Sequence, residues 1–179
     1  MAVVAQASTG EEAFQQFLEH EPDVLVLDLQ MPGEGGVSTI KRLLKKRPGA
    51  KILVLTAYDM DEDIYRSMRA GASGYILKDT PREELIHAIR TIASGQRYVS
   101  RIAGAKLAGR IGAPELTERE LSVLNCVAAA GQANKEIADQ LHITEGAVKS
   151  HVNSIMQKLG AQSRTDAAMV ALRKGIVRI

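Results

Sequence analysis

Three polar residues stand at the ends of three short apolar runs. Asp28 follows Val24-Leu25-Val26-Leu27, Thr56 follows Ile52-Leu53-Val54-Leu55, and Lys78 follows Gly74-Tyr75-Ile76-Leu77. A carboxylate, a hydroxyl and an ammonium gathered at one place suit phosphoryl transfer to the carboxylate. Asp28 would attack as the nucleophile. Lys78 would neutralise one phosphoryl oxygen, and Thr56 would donate a hydrogen bond to another. Each residue also has a plainer use: Asp28 can turn the loop before Pro32-Gly33, Thr is a good strand former, and a lysine at a strand end is commonly just solvated. The repetition at successive strand ends favours the chemical reading.

A second group lies near the other end of the chain. Over 145–159 the apolar residues Val148, Val152, Ile155 and Leu159 recur at helical spacing and form one stripe. The opposite face carries Lys149, Ser150, Asn153 and Gln157, hydrogen-bonding groups with the reach to read base edges in a major groove. An ordinary solvated face would look the same by periodicity alone.

The elements that must position these groups are legible from runs and breakers. Unbroken apolar runs of four or five residues bounded by turn residues read as strands buried on both faces of a parallel sheet. Their carboxyl ends then lie side by side, where open α/β sheets build their sites. Met1–Ala5 reads as a further short strand. Helices are expected from Thr9 or Gly10 onward, over 37–47, over 61–70 with Gly71 just past the end, and from Pro81 to about Ser94 with Gly95 ending it. Strand and helix thus alternate at spacing that permits right-handed crossovers.

Residues 96–113 carry four basic residues, no acid and three glycines, and are expected to be a linker with one helical piece. From Pro114 the pattern is all helical. Thr117-Glu118-Arg119-Glu120 and Ser163-Arg164-Thr165-Asp166 fit capping boxes. Further helices are expected over 134–141 and, capped by Thr144, over 145–159. Short capped helices with tight connections suit a helix-turn-helix.

Composition excludes several classes. The chain has 179 residues, 45% hydrophobic and 25% charged, with no Trp and 3% aromatic residues, so a core exists and is aliphatic. The single cysteine, Cys126, excludes an internal disulfide and a cysteine metal cluster and suits a reducing cytoplasm; Cys126 and His142 read as structural. No apolar run approaches the ~20 residues of a membrane span, and the first residues lack the charged region of a signal peptide. Residues 1–95 hold 11 Lys and Arg against 14 Asp and Glu, whereas 96–179 hold 12 against 7. A basic second half permits a polyanionic partner. Residues 114–179 alone balance 8 against 7, so charge supports DNA binding only weakly.

Asp28-Leu29-Gln30-Met31-Pro32-Gly33, Leu55-Thr56-Ala57 and Gly71-Ala72-Ser73-Gly74-Tyr75-Ile76-Leu77-Lys78-Asp79 resemble a response-regulator receiver domain. The resemblance implies that Asp28 is the phospho-acceptor, that Thr56 and Lys78 signal, and that Tyr75 is the switch aromatic. It implies Mg²⁺ as cofactor, held by the Asp28 side chain and the Gln30 carbonyl. It also implies a doubly wound, flavodoxin-like parallel sheet of order 2-1-3-4-5. One departure stands out. The family's first strand ends in an acidic pair that completes the Mg²⁺ site, and here Val3-Val4-Ala5 already matches the second strand. The first strand and helix are expected to be missing, through truncation, start choice or natural variation, so Mg²⁺ binding and phosphorylation of this chain are expected to be weak.

Leu116-Thr117-Glu118-Arg119-Glu120, Asn134-Lys135-Glu136-Ile137-Ala138 and Val148-Lys149-Ser150-His151-Val152 with Lys158-Leu159-Gly160 resemble the LuxR-type DNA-binding domain. Together the halves resemble a NarL/FixJ-type response regulator, with a receiver at 1–95, a linker at 96–113 and the DNA-binding domain at 114–179. That resemblance implies Lys149, Ser150 and Asn153 facing bases, and Lys135, Thr144 and His151 nearer the phosphate backbone. It places a dimerisation surface on the last helix at Ala167, Ala168, Val170 and Ala171. It implies double-stranded DNA, a sensor histidine kinase and a second copy as partners, and a cytoplasmic, non-enzymatic transcription regulator. Two alternatives remain: a phosphorylation-independent DNA-binding regulator whose receiver only dimerises, and an enzyme, such as a phosphatase, with Asp28 as nucleophile.

Overall fold

The computed structural model describes residues 1–57, 60–110 and 114–177. The chain divides into two compact units, Met1–Gly109 and Arg110–Ile179.

The first unit is built on a four-stranded sheet: β1 (Leu25–Leu27), β2 (Ile52–Thr56), β3 (Gly74–Leu77) and β4 (Tyr98–Val99), in that spatial order and all parallel. The register pairs Leu27 with Val54, Thr56 with Leu77 and Tyr75 with Val99. The connections are α1 (Gly10–His20) before β1, then α2 (Gly36–Lys46), α3 (Asp61–Arg69) and α4 (Arg82–Ala93) between successive strands, and α5 (Arg101–Arg110) after β4. Thr9 caps α1, its hydroxyl accepting from the Glu12 amide.

Two apolar layers sandwich the sheet. One holds Phe17, Leu27, Leu29, Ile40, Leu43, Ile52, Val54, Ile64 and Tyr75, with Ala103 of α5. The other holds Leu53, Ile76, Ala88 and Ile92 beneath α4. The alternation along β2 and β3 sends successive side chains to opposite layers. α4 packs against β2, β3 and β4, and Val26 of β1 is left 40% exposed.

Two expectations are corrected. Met1–Ala5 is not a strand, and Val3 is 78% exposed. In the 2-1-3-4-5 order such a strand has the first strand as its neighbour, and none of the described strands takes that place, so no ladder is available to it. The segment read as a linker, 96–113, instead contributes β4 and α5 to the first unit; residues 111–113 lie outside the described residues. Tyr98 is held by α4: its hydroxyl donates to Glu84 Oε1 at 2.8 Å, and its ring stands edge-on to His87 at 5.7 Å. Ala103 is buried and Leu107 partly so, and Lys106 lies 3.9 Å from Asp61. The helical piece expected there is α5, whereas a two-residue strand has too little periodicity to be read in advance.

The second unit is all helical: α6 (Glu118–Ala130), α7 (Asn134–Leu141), α8 (Glu145–Leu159) and α9 (Arg164–Lys174). Its core joins Val123, Leu124, Val127, Ile137, Val148, Ile155, Ala167 and Ala171. α6, α8 and α9 open on the caps expected for them, Thr117, Thr144 and Ser163, and the latter two end on left-handed glycines, Gly160 and Gly175.

Candidate functional site: a carboxyl-edge cluster and a helix-turn-helix

At the carboxyl edge of the sheet the three expected groups converge. Asp28 directly follows β1, Thr56 ends β2, and Lys78 directly follows β3. The ladder extends past the last printed pair, with the Lys78 amide donating to the Thr56 carbonyl at 2.9 Å. Lys78 Nζ donates to Asp28 Oδ2 at 2.6 Å. The Gln30 amide donates to Asp28 Oδ1 at 3.0 Å, and the buried Thr56 hydroxyl also hydrogen-bonds the carboxylate. Partial burial pushes the Asp28 pKa up. The bond from Lys78, the Gln30 amide, the Lys78 charge and the Thr56 hydroxyl outweigh it and hold Asp28 below the usual carboxylate value. Asp28 is therefore an anion at neutral pH, as a nucleophile must be.

Tyr75 lies in β3, three residues before Lys78. It is fully buried in the layer containing Leu27, Ile64 and Ala103, and its carbonyl accepts from the Ser100 amide at 3.1 Å. Behind Asp28 the chain is tight: a Cβ on Gly36 would stand 2.6 Å from Leu29 Cα and 2.8 Å from the Asp28 carbonyl oxygen. Glycine at 36 lets the loop turn back under Asp28.

For Mg²⁺ the resemblance names two oxygen donors, the Asp28 carboxylate and the Gln30 carbonyl. Asp28 already accepts from Lys78, Gln30 and Thr56, and no group of three or more His, Cys, Asp or Glu that could hold a metal occurs among the described residues.

In the second unit α8 presents Lys149, Ser150 and Asn153 to solvent while Val148 and Ile155 are buried. His151 is half-buried, and Lys135 on α7 is exposed. Thr144 is exposed, and its hydroxyl accepts from the Ala147 amide at 3.2 Å, leaving its own proton free to point outward. The dimerisation surface expected on α9 is not a surface: Ala167, Ala168 and Ala171 are buried in the core, and Val170 is half-buried. Small side chains there let α9 pack closely against α6 and α8. The exposed side chains of α9 are Thr165, Met169 and Arg173.

The residues missed from sequence tie the helices together. Glu120, expected only as a capping-box acid, is 4% exposed. It accepts from the Thr117 amide at 2.7 Å, from Ser154 Oγ at 2.6 Å and from Lys158 Nζ at 2.7 Å. Arg119 Nη2 donates to the Leu141 carbonyl at 2.6 Å. Arg164 donates to Asn134 Oδ1 at 2.7 Å and also to the Gln132 carbonyl. Apart from Thr117, these partners lie 22 to 38 residues away, beyond any local pattern.

Burial alone would raise the Glu120 pKa; its bonds from Lys158, Ser154 and Thr117 outweigh that and lower it to about 2. A folded-state pKa below the unfolded value gives stability that is complete above about 4.5 and is lost as pH falls toward 2. Over that window the second unit should lose on the order of 3 kcal/mol from this group. Acid titrations of helical circular dichroism should show it, and the Glu120→Gln chain should lack that component.

The parallel sheet with its acid at the carboxyl edge defines a receiver-type module, and the capped α7–α8 pair a helix-turn-helix. Comparison with known proteins agrees with both. Residues 1–90 match the response regulator receiver domain, and residues 114–171 match the luxR family of bacterial regulatory proteins. The chain is 39% identical to the uncharacterized transcriptional regulatory protein YxjL of Bacillus subtilis, over 99% of this chain and 86% of that one. It is 38% identical to the oxygen regulatory protein NreC of Staphylococcus carnosus, over 99% and 88%. Among solved structures it resembles the response regulator ChrA of a heme-sensing two-component system, with 34% identity, a TM-score of 0.53 and coverage of 98% and 86%. The chain belongs to the response regulators that carry a LuxR-type DNA-binding domain. It is a DNA-binding transcriptional regulator of the two-component class.

Proposed function

We propose that Asp28 is the residue through which this regulator is controlled. The observation that carries the reading is the anionic Asp28 carboxylate held by Lys78 and Thr56 at one sheet edge. A carboxylate oxygen of Asp28 bonds to phosphorus as the bond to the donor's leaving group breaks. The Lys78 ammonium then offsets charge on the phosphoryl oxygens, and the Thr56 hydroxyl turns to donate to one of them. Movement of Thr56 opens room for Tyr75, whose backbone is bonded to the segment leading into α5. Receiver domains take phosphate with Mg²⁺; this chain's donors are short of a full site, so uptake should be slow. The implied partners are a sensor histidine kinase, double-stranded DNA and a second copy of the chain, in the cytoplasm. No described helix is long and apolar enough to cross a membrane. The homodimer uses surfaces other than Ala167, Ala168 and Ala171.

The test is treatment of the full chain with acetyl phosphate and Mg²⁺, reading intact mass and size-exclusion volume beside Asp28→Asn. One phosphoryl group that vanishes in Asp28→Asn is expected, with slow uptake. A label that survives the substitution sinks the assignment. A second reading draws on the short Mg²⁺ donor set: a regulator that binds DNA without phosphate, its receiver serving to dimerise. Full DNA binding and a dimer with no label would favour it. A phosphatase would turn phosphate esters over and leave α6 to α9 without a role.

A further inference from the structure

We propose that Glu120 is a positioning residue for DNA binding, setting the rotation of α8 about its own axis through Ser154 and Lys158. The inference rests on the reading that the exposed face of α8 contacts bases. Ser154 and Lys158 are four residues apart and form one stripe along α8. Lys149, Asn153 and Gln157 form the adjacent stripe, one residue and so about 100° away. Both oxygens of one buried carboxylate hold the first stripe: Oε1 takes the Ser154 hydroxyl, and Oε2 takes the Lys158 ammonium. Oε2 also takes the Thr117 amide, which anchors the carboxylate to the first turn of α6. The neighbouring Arg119 grips the last carbonyl of α7, at Leu141. The first turn of α6 therefore fixes both helices of the helix-turn-helix. A bidentate contact to a base tolerates little angular error, so the pinned stripe decides whether the presented stripe reaches base edges in register. Lys158, with its charge spent on Glu120, makes no phosphate contact.

The test uses the full chain and a duplex selected by the wild-type protein from a random pool, with poly(dI-dC) as non-specific competitor. Glu120→Gln keeps the capping box, because glutamine serves at that position, and removes the charge that holds Lys158. It should weaken binding to the selected duplex at least tenfold, with affinity for poly(dI-dC) and the salt slope unchanged. Lys158→Met should do the same, and the double variant should be no worse than either single one. Equal losses on both DNAs would show a purely structural role and overturn the proposal. So would affinity within twofold of wild type, or a salt slope lowered by about one in Lys158→Met, which marks a phosphate contact. Failure of the underlying reading shows differently, as Lys149→Ala/Asn153→Ala keeping full affinity. That result, or a selection returning no duplex, overturns both.

Discussion

Gly74→Ala should cost the first unit about 3 kcal/mol, the upper end of what overpacking does. Gly74 opens β3, opposite Tyr98 of β4. A Cβ there would fall on the Tyr98 carbonyl oxygen, 2.7 Å from Ile92 Cδ1 and 3.3 Å from Leu53 Cδ1. The obstructing atom is backbone, so no rotamer change relieves it. Either β4 leaves the sheet or β3 shifts against α4. The control is Gly104→Ala on α5, where nothing lies within 4 Å of the new methyl group. There the loss of glycine's unfolded-state freedom should stabilise by about 0.5–1 kcal/mol. Amide exchange at Ser100, bonded to the Tyr75 carbonyl, should speed up strongly in Gly74→Ala and slow in Gly104→Ala. Amides of α8 serve as the internal standard. Unchanged Ser100 exchange in Gly74→Ala would show that β4 is not held as described.

The other large effect belongs to α8. Lys149→Ala/Asn153→Ala should lower affinity for a specific duplex by about two to three orders of magnitude, since each well-made base contact is worth about 1–3 kcal/mol. Both side chains are exposed, and they stand four residues apart on one face. Neither is needed for packing, so stability should be unaffected. Lys135→Ala, on α7, should instead weaken specific and non-specific binding alike and lower the salt slope by about one. Fluorescence anisotropy at several salt concentrations separates the two behaviours. A double variant that keeps its preference for the specific duplex would remove α8 from base reading.

Much of this was legible because the signals are local. The polar residues at three strand ends, the caps at Thr9, Thr117, Thr144 and Ser163, and the helix-ending glycines Gly71 and Gly95 all act within a few residues of themselves. The failures share one cause, dependence on distant partners. Met1–Ala5 has strand-like residues but no ladder to join. Tyr98–Val99 is too short to announce a strand and forms one because β3 offers an edge. Ala167, Ala168 and Ala171 look alike whether they face a core or a second molecule, and only the packing of α6 and α8 decides it. Glu120 shows its cap in sequence and hides its bond to Lys158, 38 residues away.

The outer flank of β1 bears on how the protein behaves in a tube. β1 is the end strand of the sheet, and among the described residues no strand pairs with its outer side along Leu25–Leu27. It holds neither lysine nor proline, the usual guards against strand-to-strand association. Asp23 and Asp28 flank it, but the Asp28 charge is offset by the paired Lys78 ammonium, which leaves Asp23 to supply repulsion between like edges. High salt screens that single charge, so concentrated stocks in high-salt buffer are where sheet-edge aggregation will first be met.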